Sequence, residues 1–424
     1  MKVFTNNKII FLILFCFSLN GITSAAEMRT WTNLKGQKIK AQLLDVDGDY
    51  VRLRLENGRD SRVPRKTLSI GDQKYLEEYG GAEKAGFDPK AKITVPEKEM
   101  KFDSKTLKKR DDKFELPDGY SLEFDIIESE HFLVMSSGNV KGKDTAELAE
   151  RLWYGMNFQH PGFADKWGDE KKAIFLCGET TDYEILGKYY VDLLANSGRA
   201  QDASNTAKTW PLSSGAGMSL DSDTCDKYNL MRGARAFRAD DKRRFKRGVW
   251  NPFPAHCIAQ DVLNVQMGGA GGGAGSDGYF AISTGHGYYK EIQLTDETVT
   301  SLLDANTYES DEVVKSGGFD DGRKWARTLR DLVKKEKVTP SIAELYRINR
   351  PTQLTPELTV LMYGFARYMQ STPERISKFS KVMERVDTGR SIPVPAELAK
   401  LFGFETQKEL EDDWISYLKS TAFK

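Results

Sequence analysis

The sequence predicts a multidomain protein: a small SH3-like all-β barrel, then a larger α+β domain with a helical C-terminal half. Two observations predict it. Residues 28–79 alternate apolar and polar side chains in short runs broken by Asp-Gly and Asn-Gly, the pattern of half-buried strands joined by hairpins. Residues 116–424 mix strand-like and helix-like periodicities and end nearly all-helical. Between them, residues 80–115 are rich in Lys, Asp, Glu, Gly and Pro with little periodicity, and read as a linker. A chain of 424 residues has room for two or three domains. With 39% hydrophobic and 29% charged residues it is neither a disordered tail nor a membrane bundle. Lys plus Arg and Asp plus Glu both total 62, so no global field selects nucleic acid or an anionic membrane.

The first 26 residues read as a secretory signal. Lys2 and Lys8 give a positive start, residues 9–19 form an apolar run, and Ser24-Ala25-Ala26 supplies small residues for cleavage. The run is too short to cross a hydrocarbon core of ~30 Å. A lipidated Cys16 is disfavoured by the bulky Phe15 before it. No second apolar stretch of spanning length follows. The expectation is export, to the periplasm or the medium. Cys177, Cys225 and Cys257 then remain. Three thiols are not a disulfide framework, allow at most one bridge, and leave its pair open.

In the N-terminal stretch, residues 29–32 open a first strand that turns at Leu34-Lys35-Gly36. Residues 39–44 and 50–55 alternate, separated by a turn at 45–49, and Asn57-Gly58 leads to a last strand at 60–64. A short helix follows through Gln73 to Leu76. About five strands in so short a stretch can bury one small core only if the sheet curls on itself. The Arg-Thr-Trp-Thr opening, Gly36-x-x-Ile39-x-Ala41, Asp47-Gly48 with Val51, Asn57-Gly58, and Leu68-Ser69 through Asp72-Gln73 to Tyr75-Leu76 resemble the SLA1 homology domain 1 family. Eukaryotic relatives are adaptors that bind Asn-Pro-Phe-x-Asp peptides. In exported bacterial proteins the module is an N-terminal accessory. The resemblance implies binding of a peptide or an envelope component, not chemistry. A spacer barrel with no ligand is the bland alternative.

The second domain opens as strand, helix, strand, helix. Residues 130–135 read as a strand, and Leu148, Leu152 and Met156 mark one buried helix face. Residues 172–177 form a continuous apolar run, hence a buried strand, and 182–194 a helix. Residues 232–247 carry a dense run of Arg and Lys. It reads as a solvated strand edge, which charge keeps from pairing with other chains, in preference to a polyanion site. Its aromatics, Phe237, Phe245 and Trp250, are too few for nucleic acid.

Residues 255–263 have helical spacing, which stacks His256 and Gln260 one turn apart on one face. Two histidines so placed, with a glutamate after the first, would hold Zn²⁺ and polarise its water. Here Cys257 stands at the base position and Gln260 at the second imidazole position. Residues 279–291 follow a Gly-rich stretch at 268–278 and look like the second helix of a gluzincin, where Trp-Leu-x-Glu-Gly-x-Ala-x-Tyr supplies a third ligand. Thr284 occupies that ligand position, 24 residues after Gln260. With the helical segments 340–345, 356–370 and 401–418, the whole of 116–424 resembles a peptidase-MA-like (gluzincin, zincin) domain.

The departures decide the expected function. A catalytic Zn²⁺ needs three protein ligands and a water. One imidazole with a Gln carbonyl and a Thr hydroxyl does not replace them, and no glutamate base is present. The expectation is a pseudopeptidase: no catalytic residue, no metal, no cofactor, with His256, Cys257, Gln260 and Thr284 as a vestigial motif. Two alternatives stand beside this exported, non-catalytic binding protein. One is a hydrolase using Cys257 and His286, although a buried Cys is more often an apolar filler. The other is a purely structural envelope protein. Residues 268–278 lack the Gly-Lys-Ser/Thr end of a phosphate loop. Asn251-Pro252-Phe253 echoes the adaptor ligand, but Ala255 stands where Asp is required, which argues against self-recognition. His131 and His160 have no ligand-spaced partner and read as structural.

Overall fold

The structure, a computed structural model, describes residues 28–47, 50–79, 104–117, 119–160, 162–240, 245–246, 248–271, 273, 275–298, 321–350 and 353–424. The leader at 1–26, the linker up to 103 and part of the Gly-rich stretch lie outside the described residues. The chain is multidomain, with a sheet-rich N-terminal region and a helical C-terminal half.

Four antiparallel strands form the first sheet in sequence order: β1 (Met28–Thr32), β2 (Lys38–Asp47), β3 (Tyr50–Leu55) and β4 (Asp60–Pro64). Alternation puts Trp31, Ala41, Val51 and Leu53 on one face, and these residues with Leu68 and Leu76 make the small core. The Trp31 indole N–H donates to the Ala41 carbonyl at 2.9 Å, so this large ring is buried without an orphaned donor. The expected closed barrel is not formed: β1 and β4 share no ladder. Pro64 ends β4 and the chain turns through a 3₁₀ segment at Arg65–Thr67. The chain then meets the end of β1 through an isolated bridge between Asn33 and Leu68 and a Ser69 N–H to Thr32 carbonyl bond of 2.7 Å, not through a ladder. Helix α1 (Ile70–Tyr79) covers the remaining gap with Leu76.

The second sheet has six strands in the order β5-β6-β7-β8-β10-β9. They are β5 (Lys108–Glu115), β6 (Glu123–Glu128), β7 (Phe132–Ser136), β8 (Lys171–Cys177), β9 (Gly215–Ser219) and β10 (Leu230–Arg238). β7, β8 and β10 run parallel, and β5, β6 and β9 complete the sheet antiparallel. β5 thus comes from the stretch read as linker. Helix α2 (Lys143–Gln159) connects β7 to β8, and α3 (Thr180–Asn196) follows β8. The continuous apolar run of β8 is explained by burial on both faces: Ile174 and Leu176 join the core on one side, Ala173 and Phe175 that on the other.

Helix α4 (Pro252–Gln266) packs against α2 and against α5 (Gly285–Thr295), which continues from a π-helical turn at Phe280–Thr284. Four longer helices, α6 (Gly322–Lys334), α7 (Pro356–Met369), α8 (Pro373–Gly389) and α9 (Gln407–Lys419), complete the helical half. They bury Trp325, Tyr363, Phe379 and Trp414 in the same core that α4 and α5 enter. Among the described residues, no helix is long and apolar enough to cross a membrane.

One further expectation is corrected. The part of the basic run that lies in β10 is not a sheet edge: β10 lies between β8 and β9, and alternation turns Phe237 and Arg235 toward the α4 side of the sheet, while residues 241–244 and 247 lie outside the described residues. Cys177, Cys225 and Cys257 are all free and buried, so none of the possible bridges forms. Burial pushes the Cys177 and Cys225 thiols up, away from nucleophilic thiolate.

Candidate functional site

Helix α4 starts with Pro252, whose fixed φ suits the first turn. It is buried almost all round because the sheet, α2 and the C-terminal helices enclose it. Phe253 packs against Phe237 and Phe245 at ring distances of 5.7 and 6.3 Å. The Asn-Pro-Phe echo is therefore a helix start sealed in the core.

Two glycines set how closely α5 can approach its neighbours. A Cβ on Gly285 would lie 2.6 Å from the Met362 carbonyl oxygen of α7, and one on Gly287 would lie 2.8 Å from the His256 ring. Their absence lets α5 sit against α4 and α7 at once. The result brings Gln260 and Thr284 together: the Gln260 amide donates to the Thr284 hydroxyl at 3.3 Å. His256 faces the same helix. Its Nδ1 is 3.0 Å from Glu291 Oε2, and its ring meets Tyr288 edge-on at 4.7 Å. The Thr298 hydroxyl donates to the other Glu291 oxygen. Desolvation raises the Glu291 carboxyl above its usual range, and His256 and Thr298 work against that rise.

His286 turns the other way, toward α7. The Gln370 side-chain amide meets its Nδ1 at 3.1 Å, and its ring lies near Phe379. Phe379 also borders His160, whose Nδ1 is 2.6 Å from the Ser380 hydroxyl. Burial, reinforced by Lys290, holds both imidazoles well below their ordinary titration, His160 at about 3. Cys257 shares a helix face with Asp261 and Asn264, at i, i+4 and i+7. That face looks toward Arg235, which grips Asp261 through Nε at 2.9 Å and through Nη2. Among the described residues no group of three His, Cys, Asp or Glu side chains could hold a metal ion.

Glu291, Arg235 and Asp261 were missed in the sequence. The available signal was a charge inside an apolar helix: Asp261 in α4 and Glu291 in α5 each demand a partner once desolvated.

A second polar site lies where the two sheets' domains meet, around a cleft of about 810 Å³. From the N-terminal module, Asp72 accepts from Arg29 at 2.6 Å, from the Thr32 N–H at 2.7 Å and from the Ser69 hydroxyl at 2.9 Å. The Arg29 guanidinium lies 3.7 Å from the Tyr75 ring centre. Lys38 reaches across to Glu130 at 3.3 Å and sits over the Trp153 and Tyr154 rings. His131 stacks on Trp153 at 3.4 Å, and buried Glu150 takes its Nδ1 and its backbone N–H, both at 2.8 Å. His131, read from the sequence as structural, is held by Glu150 and Trp153 and also borders the cleft.

These features define the class first: a small sheet-and-helix module with a polar rim, joined to a large domain whose sheet carries helices on both faces. Residues 22–84 match the family SLA1 homology domain 1, SHD1. The match suggests that this module binds protein. No curated protein and no solved structure matches the chain.

Proposed function

We propose that this chain is an exported, non-catalytic binding protein, in which the SHD1 module engages a peptide or an envelope component. The observation that carries this reading is the match over 22–84 together with the polar rim around Arg29, Asp72 and Lys38. The leader motif in residues 1–26 supports export. The second domain is read as a degenerate gluzincin-like domain. Gln260 meeting Thr284 from a helix 24 residues on supports that reading, since zinc ligands would have to converge in just that way. The same contact supports loss of chemistry, because an amide and an alcohol hydrogen-bond to each other instead of offering lone pairs to a cation. His256 and His286 each have another partner, Glu291 and Gln370, which weighs against a relocated Cys257–His286 site.

The test has two arms. An Asn-Pro-Phe-x-Asp peptide titrated into the full chain should bind saturably, and Arg29→Ala should weaken it. Binding unchanged by Arg29→Ala, or no binding, removes the assigned surface. Elemental analysis of purified protein addresses the second domain: stoichiometric zinc lost on His256→Ala would sink the non-catalytic reading.

A further inference from the structure

A small polar cavity of about 140 Å³ opens beside the Gln260–Thr284 contact, between β10, α4 and the π-helical turn. Its walls are Arg235, Asp261, Gln260, Asn264, Tyr279 and Ser283. Neither the match to SHD1 nor the likeness to peptidases assigns it a role. We propose that this cavity is a binding site for a carboxylate, held by Arg235 and Asn264.

Three observations carry the proposal. The first is charge. Lys172 and Arg235 both point to the α4 side of the sheet, where the Asp261 carboxylate acts on both. Burial lowers the Lys172 amine, and an added negative charge beside it favours its protonated form. The second is donors. Arg235 spends Nε and Nη2 on Asp261, which leaves Nη1 for another acceptor. That nitrogen lies 4.0 Å from where a Cβ of Gly217 would stand, so the residue across on β9 has no side chain to occupy it. Asn264, Tyr279 and Ser283 line the same space, with the Tyr279 hydroxyl hydrogen-bonded to Ser283. The third is size: about 140 Å³ accommodates a carboxylate with a few attached carbons.

A guanidinium edge matches the planar carboxylate. A phosphate dianion fits less well, because its second charge would face the Asp261 carboxylate across a half-desolvated space. The cavity therefore inverts the chemistry of a metal site, taking an anion where a peptidase would hold a cation. A peptide C-terminus and a small free acid both supply this carboxylate chemistry, and the experiment separates the two sources.

Isothermal titration of the full chain would use acetyl-Gly-Ala with a free C-terminus, the same dipeptide as its C-terminal amide, acetate, and inorganic phosphate. The expected result is saturable binding of a carboxylate, with the amide at least about tenfold weaker. Asn264→Leu and Tyr279→Phe, which spare the Arg235–Asp261 pair, should each weaken it about threefold or more at unchanged Tm. Tight binding of the dipeptide alone assigns a peptide terminus; equal binding of acetate assigns a small acid. Equal binding of the amide, tighter binding of phosphate, insensitivity to both variants, or no heat up to about 10 mM would each overturn the proposal. Zinc content and binding of the Asn-Pro-Phe-x-Asp peptide report on the other reading and are untouched by these outcomes.

Discussion

The two regions of this molecule treat polar groups in opposite ways. The SHD1 module has a core of six side chains and keeps its charged groups on the rim, where Arg29, Asp72 and Lys38 face a cleft. The second domain draws its charges inward: Glu291, Lys290, His286 and His256 are buried, and each imidazole is met by a carboxylate, an amide or a hydroxyl. Arg29 and Lys38 of the first can exchange partners with a ligand, because water already reaches them, while buried Asp72 anchors Arg29. The interior of the second is committed, because every group removed from water needs its one partner. That difference accords with the proposed reading of a binding module beside a non-catalytic domain.

The comparison breaks most visibly if the small core is emptied. Trp31→Ala removes its largest side chain and the bond to Ala41, at a cost of about 3–5 kcal/mol. A module this small has little more than that in reserve. Hydrogen exchange should show strands β1–β4 losing protection while β7 and β8 keep theirs. Loss of protection in both sheets would mean the two regions fold as one unit.

In the second domain, Asp261→Ala leaves the Arg235 guanidinium without its bidentate partner. Both side chains keep 16% of their exposure, so the cost falls at the low end for such pairs, about 3 kcal/mol. The shift in urea midpoint measures it. A change below about 1 kcal/mol would place the pair with surface ion pairs instead.

Acid should act on the second domain first. His160 and His286 titrate far below 6.5 in the folded chain because burial and Lys290 penalise their charge. Their contribution is complete above 6.5. As pH falls below that value the unfolded chain takes up protons that the folded chain refuses. Stability then drops by about 1.4 kcal/mol per pH unit for each imidazole, down to about 3 for His160. Urea midpoints at falling pH should trace this slope, and His160→Asn should flatten it by half. An unchanged slope in the variant would clear His160 of the effect.

The smallest effect concerns the contact that joins the regions. Lys38→Ala removes a partly exposed ion pair with Glu130 and the cation over Trp153, at a cost below about 1 kcal/mol. Stability should barely move, while exchange of the indole environment of Trp153 should rise, read by its fluorescence.

Much of the site's backbone was legible. The one-turn spacing of His256 and Gln260 placed both on one helix face, and the second helical segment carried Thr284 to meet Gln260. Their partners were not legible. Glu291 lies 35 residues from His256, and Arg235 lies 26 from Asp261 on a different kind of element. Nothing in local periodicity couples such positions. Arg235 in particular sat in a basic run that reads as solvated, and only the pairing of β10 between β8 and β9 turned it inward.

By itself, the sequence determined several strands and helices and their apolar faces, such as β8 and α4, since alternation and one-turn spacing are properties of neighbours along the chain, but it missed β5, which lies in the stretch read as linker. The tertiary structure alone decided that the first sheet stays open, that the three thiols remain apart, and which carboxylate meets which cation. Those outcomes depend on distances between elements far apart in the chain, set by how closely helices and sheets can pack.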